Sequence, residues 1–496
     1  MLSSISLQNY KSYAEKTDIS FAPLTVLCGT NSSGKSSILK STLMMRQTIE
    51  DGSPLNKLVF SGPYVDNGYW EDIISSNSQD SNTFTVENTF IVRPIKDHQT
   101  ADSVVYKELR KLYGFIHEAA QFEIRHKIVV ARGNTNQNKV AALMDSNAVI
   151  KTEISLSVQD VQGREIPNIA GFISLSKEGN TERRYTLSYK NLPLNGTLVA
   201  RCNERGCVCY FNNIKLINLY KDGISHEVVE AKSSILSLFS IVSMQYLGID
   251  YITPLRQSPR RHYVISGDVS SVGPAGENTA VLCAKIMNSE KKKTGIPLPF
   301  SEDFAVRELT SNNGNRMLLR KCIRAWAEYV GVGQLSTTES KGIVSLEIDG
   351  HNISDVGFGV SQVLPIIVQC FCMQENSMLY LEQPEIHLHP KMQMNVADFL
   401  LAVATTGRGL VVETHSDHII NRLVRRCVEN PELNKFVKIL FISKNSEGNS
   451  VINEDICIDP YRGLTNCPPD FFDQYGRELQ DIMQQGMNNV KAAKNL

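Results

Sequence analysis

The sequence predicts an α/β fold, a mixed sheet flanked by helices, interrupted by a β-rich insertion and a helical connector. Three observations carry this expectation. Leu24 to Cys28 is a short apolar run that ends in Gly29 and is followed by the apolar stretch Ile38 to Met45, the strand, glycine loop and helix order of an α/β unit. Met378 to Leu381, Leu410 to Val412 and Phe436 to Ser443 are further short apolar runs, of the kind found in parallel sheets covered on both faces. Between these two blocks, apolar and polar residues alternate with the period-two pattern of half-buried strands.

Taken in order, residues 1–83 read as a first lobe, 84–235 as the insertion, 236–345 as the connector, 346–446 as a second lobe and 447–496 as a tail. In the first lobe Ile5 and Leu7 alternate with Ser4, Ser6 and Gln8, so a strand precedes the glycine loop. The insertion contains strand patterns at Thr83 to Arg93, Val149 to Val158 and Tyr185 to Tyr189. Turn signals stand at Lys177 to Asn180 and Leu194 to Gly196. One helix is expected within it, Val104 to Lys127, because Leu109, Leu112, Phe115 and Ile116 recur at helical spacing. No heptad pattern persists, which argues against a long coiled-coil arm. The connector is expected to be mostly helical, with Leu318 to Tyr329 carrying Arg320, Lys321 and Arg324. The tail is polar and ends in a helix.

Composition excludes several classes. The chain has 496 residues, too many for one core, and is 42% hydrophobic and 21% charged, an ordinary globular balance. With 51 basic against 52 acidic residues the net charge is -1, so any nucleic-acid contact rests on local patches and not on a global field. Lys291 to Lys293 is such a patch, although three lysines more often mark a solvated loop. No apolar run reaches the ~20 residues of a membrane span, and the first residues lack the charged and apolar regions of a signal peptide. Eleven cysteines without a secretion signal read as reduced thiols in a cytoplasm. Cys202, Cys207 and Cys209 offer zinc three ligands at irregular spacing, and read better as cysteines of a hairpin.

The residues that carry chemistry begin with Gly29, Thr30, Asn31, Ser32, Ser33, Gly34, Lys35 and Ser36, continuing into Ser37. They match G-x-x-x-x-G-K-[ST] at every fixed position. Glycines let the backbone curl its N–H groups toward phosphate oxygens, the helix N-terminus faces the anion, Lys35 reaches the β- and γ-phosphates and Ser36 can ligate Mg²⁺. ATP with Mg²⁺ is the expected ligand. Leu379 to Glu385 is an apolar strand ending in acids, and Glu382 is expected on the metal side of the site. Gly357, Gly359, Ser361 and Gln362 open the apolar helix Val363 to Cys372 and form a second anion-binding helix start. Glu413 to Asp417 contains His415 after a further buried strand.

Phosphate loop, small-residue helix start, acidic strand and late histidine, in that order, resemble the Walker A, signature, Walker B and switch motifs of ABC-type ATPases. Gln8 to Tyr13 and Glu382 to Pro390 resemble the "NF(K/R)SF" and "EEPExHLHP" elements of the RecF, SMC and OLD class. Tyr251 to Tyr263, Gly273 to Asn278 and the tail from Asp473 resemble a bacterial subgroup that includes the ATPases of Septu-type and retron-linked phage defence. The resemblance implies an ABC-type P-loop head that forms a homodimer or higher homo-oligomer. In it two ATP molecules are sandwiched between one subunit's phosphate loop and the other's signature, and His415 senses the γ-phosphate. It further implies an ATP-gated sensor controlling a separate nuclease or effector chain. Rival readings are a DNA-repair ATPase that hydrolyses ATP on DNA, and an ATP-binding module with no nucleic-acid role.

One position departs from that class. The residue after the Mg²⁺ acid is usually the glutamate that serves as base, and here it is Gln383. An amide orients water but cannot take its proton, and losing a general base costs ~10²–10⁴ in rate. Slow hydrolysis is therefore expected; Glu385, two residues on, is left open as a substitute base, since a continuing strand would point it the same way as Gln383 but Pro384 bends the chain. His387, His389, His415 and His418 border the nucleotide in this motif order and are not read as a transition-metal site. Arg256, Arg260 and Arg261 are open between ligand contact and surface packing beside Tyr263. No clustered acids of a nuclease domain follow His415.

Overall fold

The computed structural model describes the chain apart from residues 53–57, 79, 81, 94–120, 133–146, 161–163, 165–170, 179–183, 193, 202–225, 266, 300–316, 454–455, 469–470, 473–477 and 488–496. The first part runs β1 (Leu2–Gln8), β2 (Thr17–Ser20), β3 (Leu24–Gly29), α1 (Lys35–Glu50), β4 (Thr83–Val92), β5 (Gln121–Arg132), β6 (Asn147–Gln159), β7 (Gly171–Glu178), β8 (Arg184–Leu192) and β9 (Leu194–Arg201). There follow α2 (His226–Leu247), β10 (Ile249–Ile252), α3 (Thr279–Met287), α4 (Leu319–Val330), β11 (Leu335–Ser340), β12 (Ile343–Ile348) and α5 (Phe358–Cys372). The last part is β13 (Met378–Glu382), α6 (Pro390–Ala404), β14 (Gly409–Glu413), α7 (Asp417–Glu429), β15 (Val437–Lys444) and β16 (Ser450–Asn453).

The central sheet has the order β10-β13-β14-β3-β15-β16. Its first five strands are parallel and β16 alone pairs antiparallel. The central strands β13 and β14 are buried along their whole length because both faces are covered. On β13, Leu379 and Leu381 face one core, with α3, α4, α5 and α6. Met378 and Tyr380 face the other, with α1 and α2. Alternate residues of one strand thus feed two cores, which is why Met378 to Leu381 and Leu410 to Val412 are apolar at every position and do not alternate.

A second, antiparallel sheet has the order β2-β1-β4-β5-β6-β7-β8-β9. Its β1, β4 and β5 residues Ile5, Leu7, Val86, Phe90, Ile124 and Ile128 share a core with α1. Helix α1 is therefore enclosed between two sheets and is buried at Ile38, Leu39, Leu43, Met44, Met45 and Ile49. The sheet runs across the 83/84 division, so the insertion extends the strands of the first lobe.

Three sequence expectations need correction. Residues 121–127 are not helical but belong to β5. There Phe122, Ile124, His126, Ile128 and Val130 are buried in alternation, a period-two pattern that helical spacing does not produce. The remainder of the expected helix lies outside the described residues, as do Cys202, Cys207 and Cys209. Leu194 to Gly196 is not a turn, since these residues open β9 and Gly196 pairs with Tyr189. The connector is only partly helical, because it supplies the edge strand β10 of the central sheet and the hairpin β11–β12. Ile249 to Ile252 is too short a run to separate from helix by periodicity. Among the described residues no helix is long and apolar enough to cross a membrane.

Candidate nucleotide site

The parallel strands β10, β13, β14 and β3 all end on one side of the sheet, the side on which open α/β sheets hold ligands. Strand β3 ends at Gly29, whose φ is +136°, and a Cβ there would lie 1.9 Å from the carbonyl oxygen of Ile442. Gly34, with φ +103°, has the Ser450 and Ser12 hydroxyl oxygens at 2.4 and 2.7 Å from the place of its missing Cβ. Only glycine fits either position. The loop rests on a fixed floor. The Tyr13 hydroxyl donates to the Gly34 carbonyl at 3.1 Å, and the Ser450 hydroxyl donates to the Ser33 carbonyl at 2.5 Å. Tyr13 is fully buried and Ser12 stands beside Ser450. The Gln8 to Tyr13 element therefore has a physical role, which is to carry the phosphate loop.

Gly34 caps α1 without a side chain, so no side chain occupies the first-turn N–H groups. Lys35 Nζ curls back to donate to the carbonyls of Thr30 at 2.7 Å and Gly29 at 3.2 Å, and burial lowers its pKa. Thr30, Asn31 and Ser32 are exposed, and the Ser33 hydroxyl is buried without a partner among the described residues. A glycine-curled backbone, an uncapped helix start and a confined ammonium fit a polyphosphate.

Two acids end adjacent strands beside this loop. Glu382 on β13 and Glu413 on β14 are register partners, and both are buried. Ser36 donates to both Glu413 oxygens, at 2.9 and 3.2 Å. Glu382 instead accepts from the Tyr251 hydroxyl at 3.1 Å. Burial, and then the charge of Glu413, push Glu382 up to about 7. Burial raises Glu413 as well, against the Ser36 hydrogen bond and the Lys35 charge. Two buried carboxylates held side by side with a hydroxyl are a donor set for a hard divalent cation, whose charge would offset their repulsion.

Sequence reasoning assigns no role to Glu413 or Tyr251. The signal for Glu413 is present, since Leu410 to Glu413 repeats the pattern of Leu379 to Glu382, a buried apolar strand ending in an acid.

Beyond Glu382 the chain turns sharply. Gln383 has φ +46° and its N–H donates to the Glu413 carbonyl at 2.7 Å. Arg256, buried, donates from Nη2 to the Glu382 carbonyl at 2.8 Å and reaches the Gln383 carbonyl from Nη1 at 3.5 Å. Both oxygens of Glu385 are engaged, one accepting from the Thr414 hydroxyl at 2.8 Å and the other from the His415 N–H at 2.7 Å. The acidic turn and the His415 loop are thereby tied together, and the His415 side chain is exposed.

The small-residue helix start lies against the same turn. A Cβ on Gly359 would sit 2.6 Å from the His387 carbonyl oxygen, and the Phe358 ring stands edge-on to the His387 ring at 5.0 Å. Ser361 and Gln362 are buried, with the Ser361 hydroxyl donating to the Phe358 carbonyl at 2.7 Å. Gly357 and Phe358 are exposed and Gly357 caps α5 without a side chain. No hydrogen bond joins residues 357–362 to the loop 29–37 within the chain among the described residues. Nor is there, among them, a cluster of three or more His, Cys, Asp or Glu residues able to hold a metal ion.

Comparison with known proteins gives a family match and distant structural likenesses. Among curated proteins none matches. Similar solved structures include the SMC head domain from Thermotoga maritima, with 9% identity, a TM-score of 0.33 and coverage of 91% of this chain and 98% of that one. Another is an Smc head bound to the C-winged helix domain of ScpA, with 12% identity, a TM-score of 0.38 and coverage of 92% and 98%. A third is an Smc head with an extended coiled coil bound to the C-terminal domain of ScpA derived from Pyrococcus furiosus, with 12%, 0.40, and 91% and 95%. The family described as the AAA ATPase domain matches residues 1–168 and 308–420, which contain the phosphate loop, both acids, Gln383, Glu385 and His415. With that match spanning more than half of its residues, the chain belongs to the AAA ATPase domain family (AAA_15).

Proposed function

We propose that this chain is an ATP-gated switch that binds ATP with Mg²⁺ on the loop Gly29 to Ser37 and hydrolyses it slowly. The observation that carries the reading is the convergence of Ser36 and Glu413, 2.9 Å apart, beside an uncapped helix start and Lys35. Ser36, Glu413 and Glu382 would hold the Mg²⁺, which when bound supplies charge neutralisation for the phosphates. Lys35 would exchange its loop carbonyls for phosphate oxygens. Gln383 can hold a water but not deprotonate it, and Glu385 already accepts two hydrogen bonds. With Gln383 unable to take a proton and Glu385 tied to Thr414 and His415, water activation is slow and a long-lived ATP state follows. ATP at 100 times its Kd would stabilise the bound form by about 2.7 kcal/mol.

In this reading two chains close around ATP, with the exposed start of α5, Gly357 and Phe358, facing the partner's phosphates. The resemblance of residues 251–263 and 273–278 to phage-defence ATPases supports a role as sensor and scaffold for a separate nuclease or effector. The test is nucleotide affinity, single-turnover hydrolysis and native mass for the parent and Lys35→Ala. Tight Mg²⁺-dependent binding, slow turnover and an ATP-stabilised oligomer, all lost in Lys35→Ala, are expected. Equal binding by both proteins sinks the site, and rapid turnover sinks the switch. A phage-plating assay of the chain with its neighbouring genes tests the defence role, which fails if Lys35→Ala protects as well as the parent.

A further inference from the structure

Arg256 follows β10 by four residues, yet its side chain serves the neighbouring strand. The segment around it is pinned: Thr253 N–H donates to the Pro274 carbonyl at 2.9 Å and Gln257 N–H to the Ala275 carbonyl at 2.8 Å. The Thr253 hydroxyl donates to the Leu255 carbonyl at 2.9 Å. This anchoring aims the guanidinium over the carboxyl end of β13, where it meets the carbonyls of Glu382 and Gln383 in succession. Arg256 is 5% exposed, and its Nε–H is buried with no partner among the described residues. An arginine with one donor idle is a poor choice for filling space. The planar fork, however, meets two consecutive carbonyls from two separate nitrogens, Nη2 and Nη1, a fixed geometry that the single nitrogen of a lysine does not reproduce.

The turn it grips needs such a grip. Gln383 holds a left-handed backbone, with φ +46°, which L-residues avoid. Its own N–H donates to the Glu413 carbonyl, the Ile386 N–H donates to its carbonyl at 3.4 Å, and Arg256 grips the carbonyls to either side of the Gln383 N–H. We infer that Arg256 is a positioning residue for Gln383, setting the direction of the amide that orients the attacking water. The inference rests on the nucleotide reading of the site. It differs from that reading in predicting an effect on turnover without an effect on nucleotide affinity, because among the described residues the Arg256 side chain makes no hydrogen bond to the loop 29–37 and meets only backbone carbonyls of residues 382 and 383.

The experiment uses the full chain with Arg256→Lys and Arg256→Gln, each alone and combined with Gln383→Glu. The expected result is an ATP affinity within about threefold of the parent. Gln383→Glu is expected to raise single-turnover hydrolysis by about 10²-fold, and either Arg256 change to remove about tenfold or more of that gain, as misplacement of a reacting group does. Amide exchange over residues 382–386, read without nucleotide, is expected to quicken at least tenfold in Arg256→Lys while exchange in β14 stays as in the parent. A full Gln383→Glu gain in both Arg256 backgrounds, or unchanged exchange at 382–386, overturns the inference. Loss of ATP affinity in Lys35→Ala together with those results leaves the nucleotide reading standing, and equal affinity in Lys35→Ala removes that reading first.

Discussion

Ser36 Oγ lies 2.9 Å from one carboxylate oxygen of Glu413, and Glu413 is the register partner of Glu382 on the next strand. The hydroxyl of the phosphate loop is thus already docked on an acid pair that repels itself. Glu413→Gln should act in opposite directions in two assays. Without Mg²⁺ it removes a charge that raises Glu382, so the melting midpoint should rise, by about 2 °C for ~1 kcal/mol. With Mg²⁺ and ATP the stabilising shift should shrink, and Mg²⁺-dependent ATP affinity should fall at least tenfold, while affinity in EDTA stays near the parental value. A thermal-shift titration with and without Mg²⁺ checks both signs. An unchanged Mg²⁺ response shows that Glu413 is not a metal-side acid.

The glycines of the loop make a sharper steric prediction. Gly34→Ala puts a methyl group 2.4 Å from the Ser450 hydroxyl oxygen and 2.7 Å from that of Ser12, at φ +103°. The backbone strain costs ~1–3 kcal/mol, and the displaced serines would release the loop floor. Gly350→Ala is the control, since Gly350 has φ +80° and open space around it. Gly34→Ala should lose nucleotide binding and Gly350→Ala should not. Calorimetric titration with ATP would decide, and normal binding by Gly34→Ala would mean that the floor does not matter.

These two sites show what a sequence can carry. The fixed spacing from Gly29 to Ser36 is local, and its strand–loop–helix setting is local too, so both are readable. The pairing of Ser36 with Glu413 joins residues 377 apart, and the Tyr251 contact with Glu382 joins residues 131 apart. Nothing in either neighbourhood records the partner. The β-rich character of the insertion is readable from alternation, but residues 121–127 are absorbed into a helix because an apolar-rich helical pattern runs up to them. The strand β10 escapes for a different reason: four residues, all buried but Asp250, are too few to show a period.

His126 gives a pH prediction. It is buried on β5 between the Tyr246 hydroxyl and the Thr152 hydroxyl, each at 2.9 Å. Burial drives its pKa down to about 3. The folded state therefore holds the neutral ring, while the unfolded chain takes a proton near its ordinary value of 6.5. Its contribution is present above pH 6.5 and is lost as pH falls toward 3, because the unfolded state binds the extra proton. At pH 5 the loss from this group is about 2 kcal/mol. Chemical denaturation at pH 7 and pH 5, for the parent and His126→Asn, should show the variant less stable at pH 7 but flatter across the range. Parallel pH profiles for the two proteins would refute the assignment.

Asp398 joins three helices, and none of its hydrogen-bond partners lies in the loop 29–37. On α6 it is fully buried, and it receives the Tyr329 hydroxyl of α4 at 2.7 Å and the guanidinium groups of Arg422 and Arg426 of α7, each at 2.7 Å. Burial acts to raise its pKa, but the hydrogen bonds from Arg426 and Arg422 outweigh it and hold the carboxyl below the usual range. Removing the acid alone takes the carboxylate from Arg422 and leaves Arg426 with Glu429, both arginines being largely out of water, and breaking a buried pair in this way costs ~3–5 kcal/mol. Asp398→Ala should therefore lower the denaturant midpoint strongly, while replacing Asp398, Arg422 and Arg426 together with apolar residues should recover most of the loss, since the buried charges are then absent and Glu429 keeps its pairing with Arg425. Urea unfolding of the single and triple variants makes the comparison. A loss below about 1 kcal/mol for Asp398→Ala would mean that water reaches the arginines and that the cluster adds little to the packing of α4, α6 and α7.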